Sequence, residues 1–228
     1  MSDIFTRVDG YIFTRVDGYI DALFAPPDPA LDFALAEARR AGLPEIQVSA
    51  GQGKLLYLLA KLTGARRILE IGALGGYSTV WLARALPDGG RLVTLEVDPA
   101  HARVATASLQ HAGLAARTEV VVGPALATLP GVRERADAPF DLVFLDADKV
   151  NYLAYLAEIM KVVRGGTLIL ADNVIRKGAV LDPPPDDPSA IAARAFNAAL
   201  AADPRLESIV VQQVGVKGHD GLAIARVK

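Results

Sequence analysis

The run Ile68-Leu69-Glu70-Ile71-Gly72-Ala73-Leu74-Gly75-Gly76-Tyr77-Ser78 leaves a chain few ways to fold. A short apolar strand breaks into a glycine-rich turn, and an amphipathic helical pattern takes over from Tyr77 to about Leu86. Glycines at such a turn permit positive φ and close approach of N–H groups to a ligand, while the helix start adds unpaired donors. Nucleotide-type cofactor sites begin in this way. Glu70 sets this turn apart, because a carboxylate repels a pyrophosphate and suits a cationic or hydroxyl-bearing ligand. The glycines also miss the G-x-G-x-x-G spacing, and no Gly-Lys-Ser/Thr follows to cradle phosphates.

After this turn the strand-then-helix rhythm repeats. The pattern predicts strands near 67–71, 91–96, 117–122, 140–146 and 165–171, with helices near 77–86, 99–112, 124–129, 150–161 and 189–202. Short apolar strands separated by helices imply a parallel sheet covered on both faces. Two last apolar runs, 206–214 and 221–227, are joined by a stretch too short for a parallel crossover and should pair antiparallel. The expected fold is therefore α/β, a doubly wound, mostly parallel seven-stranded sheet with a C-terminal antiparallel hairpin. Two helices should precede the sheet, at 31–40 and 52–62; Ser49 caps the second, whose apolar face is Leu55, Leu56, Leu58, Leu59 and Leu62.

Residues 29–228 are read as one domain and 1–28 as an extension. That extension carries an exact repeat, Ile4 to Tyr11 recurring as Ile12 to Tyr19. Eight residues is too short for a solenoid unit, and rotates a helical stripe by about 80°, so one copy is expected to project or fray. Twenty-four basic against 26 acidic residues give no footprint for nucleic acid or anionic membrane, so a small ligand is expected. Zero cysteines exclude disulfides and thiolate sites. With no signal-peptide core and no membrane-length apolar run, a cytoplasmic protein is expected.

Ligands of open doubly wound sheets sit beyond the C-terminal strand ends. Three ends carry acids: Glu70, Glu96 and Asp146. Glu96, about 20 residues past the glycine turn, is placed to accept from ribose hydroxyls, while Asp98 before Pro99 caps the next helix. The fifth strand ends in Asp172-Asn173; beside the fourth, it would bring Asp146, Asp172 and Asn173 together as hard oxygen ligands for Mg²⁺, Mn²⁺ or Ca²⁺. Helix capping is the competing role for these acids. Lys149, one turn on, is a candidate general base or else a solvated lysine. The histidines carry no signal, with His101 and His111 read as surface residues and His219 in the hairpin turn. Arg39-Arg40 and Arg66-Arg67 read as solvated, Trp81 and Leu82 as core. The stretch Asp182 to Pro188 is either a substrate-lining loop or a plain surface connection.

Together, Ile68-Leu69-Glu70-Ile71-Gly72 with Gly75-Gly76-Tyr77-Ser78, Gly123-Pro124-Ala125-Leu126, Asp146-Ala147-Asp148-Lys149, Ala171-Asp172-Asn173-Val174 and Lys217-Gly218 with Asp220-Gly221-Leu222 resemble the cation-dependent O-methyltransferases of the caffeoyl-CoA and catechol group, especially bacterial members. The likeness spans residues 30 to 228 and implies a class I, Rossmann-like methyltransferase fold with S-adenosylmethionine as donor. On matching positions, Glu70, Gly72, Gly76, Tyr77 and Ser78 would line the methionine and sulfonium end, with Asp146 bordering it. Val48 would close over the donor, Glu96 would bind ribose and Ala125 would abut adenine. Asp146, Asp172 and Asn173 would hold the cation, Mg²⁺ foremost, and Lys149 would act as base on a phenolic vicinal diol. A homodimer is implied as well. The competing readings are a non-catalytic adenosylmethionine-binding protein, a methyltransferase of a macromolecule, and a nicotinamide oxidoreductase disfavoured by the glycine spacing and the hairpin.

Overall fold

The computed structural model describes residues 2–228, with side chains from residue 12 onward. Seven strands form one sheet: β1 (Arg67–Ile71), β2 (Arg91–Glu96), β3 (Thr118–Val122), β4 (Phe140–Leu145), β5 (Val163–Ala171), β6 (Leu206–Gly215) and β7 (Gly218–Val227). Their order is β3-β2-β1-β4-β5-β7-β6. The first five are parallel, and β7 lies antiparallel to both β5 and β6. The turn joining β6 and β7 is tighter than the sequence pattern indicated, because the ladder continues to the Gly215–Gly218 rung.

The period of two along each strand sorts side chains between the two faces. Leu69, Ile71, Val143, Leu145, Ile169 and Ala171 pack under α6 (Ala125–Arg135), α7 (Tyr152–Ile159) and α8 (Pro188–Ala202). Ile68, Leu92, Leu142, Phe144, Leu168 and Leu170 face α2 (Pro29–Arg40), α3 (Ala50–Leu62), α4 (Tyr77–Ala85) and α5 (Pro99–His111). Both caps expected from sequence form: Ser49 Oγ accepts from Gln52 N at 3.2 Å, and Asp98 Oδ1 from Ala100 N at 2.6 Å.

Two local expectations are corrected. Only part of the expected leucine face of α3 is buried: Leu56, with Gly53 and Ala60, is buried and Leu55 and Leu59 pack on the core, whereas Leu58 is 45% and Leu62 82% exposed. The cause is close helix packing, since a Cβ on Gly53 would lie 2.3 Å from the Trp81 ring. The helix expected to stop at 129 runs through Pro130 to Arg135, with Leu129 and Val132 buried on either side of the proline. One helix, α1 (Ser2–Phe24), runs through both octapeptides. Asp17 of the second copy docks the hairpin tip, its Oδ2 accepting from Val216 N at 2.6 Å. Which face the first copy presents lies outside the described residues.

The sheet's C-terminal edge is knitted beyond the last rungs. Gly123 N donates to Glu96 O, Gly72 N to Leu95 O, Asp146 N to Ile71 O and Asp172 N to Leu145 O, all within 2.9 to 3.0 Å. Each residue that follows a strand is therefore still positioned by its neighbour. Gly72 is the tightest point: it has φ +99°, and a Cβ there would fall 2.0 Å from the Asp146 carbonyl oxygen. Beneath the turn, Glu70 is fully buried. Its carboxylate accepts from Ser78 Oγ and Thr94 Oγ1 at 2.7 Å each and from Thr79 Oγ1 at 2.5 Å, which ties β1 to β2 and to the first turn of α4. Burial drives its pKa up to about 7, opposed by those three hydroxyls and aided by the charge of Asp146.

Two stability measurements test this frame. Gly72→Ala should cost about 3 kcal/mol or more, because backbone and not a flexible side chain occupies the space. Gly113→Ala, at φ +69° with nothing within 4 Å, should cost only about 1 kcal/mol. Equal denaturation midpoints for the two variants would refute the clash. The second test is pH. With Glu70 at about 7 folded against an ordinary 4.5, the folded state binds the extra proton between those values. Stability therefore falls as pH rises from 4.5 to 7, by about 3 kcal/mol, and Glu70→Gln should flatten that slope in urea titrations.

Candidate active site

A cleft of about 750 Å³ opens over the C-terminal strand ends. One wall is the glycine turn and the start of α4, another the segment 44–48 ahead of α3, and the floor is built from residues that follow β2, β3, β4 and β5. Of the expected donor contacts, Val48, Gly72, Tyr77, Ser78, Glu96, Ala125 and Asp146 line this cleft. Two do not. Gly76 is the left-handed cap of α4, at φ +83° and packed on Ala105, and Glu70 lies sealed below the turn. The alternation of β1 explains Glu70: it shares a face with Ile68, opposite Thr94, and so points under α4 instead of out of the strand end. Its reach to the cleft is indirect, through the hydroxyl of Ser78.

Glu96 is 6% exposed and pinned at both oxygens. Oε2 accepts from Leu74 N at 2.7 Å and Oε1 from Asp98 N at 2.9 Å. Leu74 adopts φ +49° to present that N–H, so the turn spends backbone strain on gripping the carboxylate. Each oxygen retains a lone pair for a ligand hydroxyl. His101, expected at the surface, instead lines the cleft with Nδ1 3.7 Å from Glu96 Oε1. His111 stacks on Phe33 with ring centroids 3.9 Å apart, and His219 sits on a β7 rung beside Gln212.

Two strands away, Lys149 is 7% exposed, which settles it as buried. Its Nζ donates to Asp146 Oδ1 at 3.1 Å and to Tyr152 OH at 2.6 Å. Tyr152 in turn donates toward the carbonyl oxygens of Leu145 at 3.2 Å and Asp172 at 3.1 Å. Burial, then the charges of Asp146 and Asp172, push the Tyr152 phenol well above its usual range, so it stays protonated and fixes the lysine. Asp172 is 3% exposed, and burial followed by the Asp146 charge raises its pKa to about 7, with the Asn173 N–H, Gln52 and Lys149 pulling back. Neither acid caps a helix. Asp148, not Asp146, precedes the 3-10 turn at 149–151, and it accepts from Tyr155 OH and Asn151.

Adjacent strands stand about 5 Å apart, so Asp146 and Asp172 flank one point while Glu96 lies roughly 10 Å from Asp146. Asn173 lines the cleft wall, held at φ +54°. Among the described residues no three His, Cys, Asp or Glu side chains form a metal-binding group, and the expected set is two carboxylates and an amide. That set is all hard oxygen, which fits Mg²⁺, Mn²⁺ or Ca²⁺. None of residues 182–188 lines the cleft; Ser189, just after them, does.

Comparison with known proteins agrees with this geometry. A family model described as O-methyltransferase matches residues 30–228. A catechol O-methyltransferase of Niastella koreensis is 48% identical over 227 residues, covering 100% of this chain and 99% of its own. One from Mycobacterium tuberculosis is 52% identical over 209 residues, covering 92% and 93%. An O-methyltransferase from Bacillus cereus, solved in complex with SAH, superposes with a TM-score of 0.93 at 45% identity, covering 96% of this chain and 99% of that one. A sheet of this order, a cleft at its C-terminal edge and relatives near half identity over the whole chain make this protein a member of the S-adenosylmethionine-dependent O-methyltransferase family.

Proposed function

We propose that this enzyme transfers the methyl group of S-adenosylmethionine to one hydroxyl of a phenolic vicinal diol, with a divalent cation, Mg²⁺ foremost, held by Asp146, Asp172 and Asn173. The observation that carries the reading is the layout of one cleft, with the doubly pinned Glu96 at one end and the Lys149–Asp146 pair at the other. When bound, the cation would draw the diol oxygens to Asp146 and make one hydroxyl more acidic.

The chain's residues do the rest. Glu96 accepts from the ribose hydroxyls, Ala125 borders the adenine, and Tyr77, Ser78 and Gly72 border the methionine end, with Val48 above. Lys149 accepts the proton of the attacking hydroxyl, its Nζ kept in place by Tyr152 OH and Asp146 Oδ1. Methyl transfer from a sulfonium to an oxyanion cancels charge, so the buried floor formed by Tyr152, Lys149 and Asp172 favours it over a wet site. We further propose that the enzyme works in the cytoplasm as a homodimer. Among the described residues no helix is long and apolar enough to cross a membrane, and α1 exposes Ile12, Val16, Tyr19 and Leu23 as apolar surface.

Incubation with S-adenosylmethionine, Mg²⁺ and a panel of catechols should yield monomethylated product, and excess chelator should abolish it. No product from any vicinal diol, or product indifferent to chelation, would sink the cation-assisted reading. Two variants separate the ends of the cleft. Asp146→Ala should lower kcat by about 100-fold or more while calorimetry finds donor binding largely retained. Glu96→Ala should weaken the donor by about 10-fold or more, as expected for lost charge-assisted hydrogen bonds. The reverse pattern would exchange the two assignments.

A further inference from the structure

The 3-10 turn Arg176–Gly178, just past the Asp172-Asn173 strand end, is built in an uncommon way. Arg176 and Lys177 adopt φ +55° and +56°, a conformation that costs side-chain-bearing residues about 1 kcal/mol each. Asp220 holds the turn there: its Oδ1 accepts from the N–H groups of Ile175 at 2.9 Å, Arg176 at 3.0 Å and Gly221 at 2.9 Å. Strain maintained at the rim of a cleft is a device for aiming a side chain.

The side chain it aims is a cation. Arg176 lines the cleft together with Asn173 and Ser189, and its Nε is buried without a hydrogen-bond partner. Among the described residues no acid pairs with the guanidinium, and a carboxylate in the cleft accepting from its terminal Nη groups would give it the charge-assisted pair arginine favours. The other basic side chains of the cleft face acids: Lys149 is bonded to Asp146, and His101 stands between Glu96 and Asp98. Ser189, the second residue of α8, adds a hydroxyl and the positive end of a 15-residue helix to the same cleft.

We propose that Arg176, with Ser189, forms an anion subsite that makes the enzyme prefer vicinal diols bearing a carboxylate beside the ring over neutral diols. The inference rests on the diol reading given above. A substrate anion entering past Asp146 and Asp148 would otherwise be repelled, so a dedicated cation changes which diols are accepted. Arg176 here sets specificity and takes no part in proton or methyl transfer.

Rates with 3,4-dihydroxybenzoate, its uncharged isostere 3,4-dihydroxybenzamide and catechol test it. The wild type should favour the acid over the amide by about tenfold or more in kcat/KM, as a charge-assisted pair predicts. Arg176→Met should erase that ratio, and Arg176→Lys should keep part of it. An enzyme indifferent to the charge, or an Arg176→Met variant that loses acid and amide equally, would overturn the subsite and leave Arg176 as a counter-ion of the acidic floor. If none of the three diols is methylated, the diol reading fails by itself. Calorimetric titration of wild type and Arg176→Met with the acid and the amide still decides the subsite, since only an anion-selective wild type supports it.

Discussion

Everything at the active edge of this protein depends on how closely two backbones approach at Gly72. There the turn after β1 passes the Asp146 carbonyl with no room for a Cβ. That contact sets the distance between the wall expected to hold the donor and the aspartate expected to hold the acceptor's cation. The hydrogen bonds from Gly72, Asp146 and Asp172 to the preceding neighbour strands extend the same constraint sideways. Glu96, Asp146 and Asp172 thus stand in a row whose spacing is fixed by the sheet and not by loops. Positioning within a fraction of an ångström is what an in-line displacement needs, and a sheet edge supplies it more rigidly than side-chain packing could.

The second constraint is a buried charge that faces away from the ligand. Glu70 reads in the sequence as the residue that explains a sulfonium donor, yet its carboxylate is consumed by Ser78, Thr79 and Thr94. It acts as a bracket that ties three elements into one turn. Desolvation makes such a bracket costly, as its raised pKa records, and the cost is tolerable only because three hydroxyl donors meet it at once. The carboxylate is also close enough to Asp146 for their charges to be felt. A cationic ligand above the turn would therefore ease repulsion on both acids without touching Glu70.

The sheet and the row of acids were legible because both obey short-range rules. Apolar runs of five or six residues separated by helical patterns could only be a wound parallel sheet, and ligands of such sheets lie where the strands end. What escaped depended on neighbours distant in sequence. The exposed leucines of α3 are explained only by Trp81 lying against Gly53, and α6 passes Pro130 because Leu129 and Val132 are both needed in the core. His101 looked like a surface residue because nothing in its own helix shows that Glu96 lies beside it. Glu70 was different: its face follows from the same period of two that identified β1, and pairing it with Ile68 would have placed it beneath the helix from sequence alone.

Charge then explains why the cleft has two unlike ends. At Glu96 the acid accepts from two backbone N–H groups and remains an acceptor for neutral hydroxyls. At Asp146 and Asp172 no comparable set of backbone donors exists among the described residues; burial and the Asp146 charge raise Asp172, and one lysine, Lys149, stands against two carboxyl groups. An excess of negative charge held at low dielectric is most readily neutralised by a small cation with hard-oxygen preference. The same excess would disfavour an anionic substrate, and the strained, Asp220-clamped turn that carries Arg176 follows the strand end that supplies Asp172. One strand end thus supplies the negative charge that would draw in a cation, and the arginine that follows it supplies the positive charge that an anionic ring substituent would require.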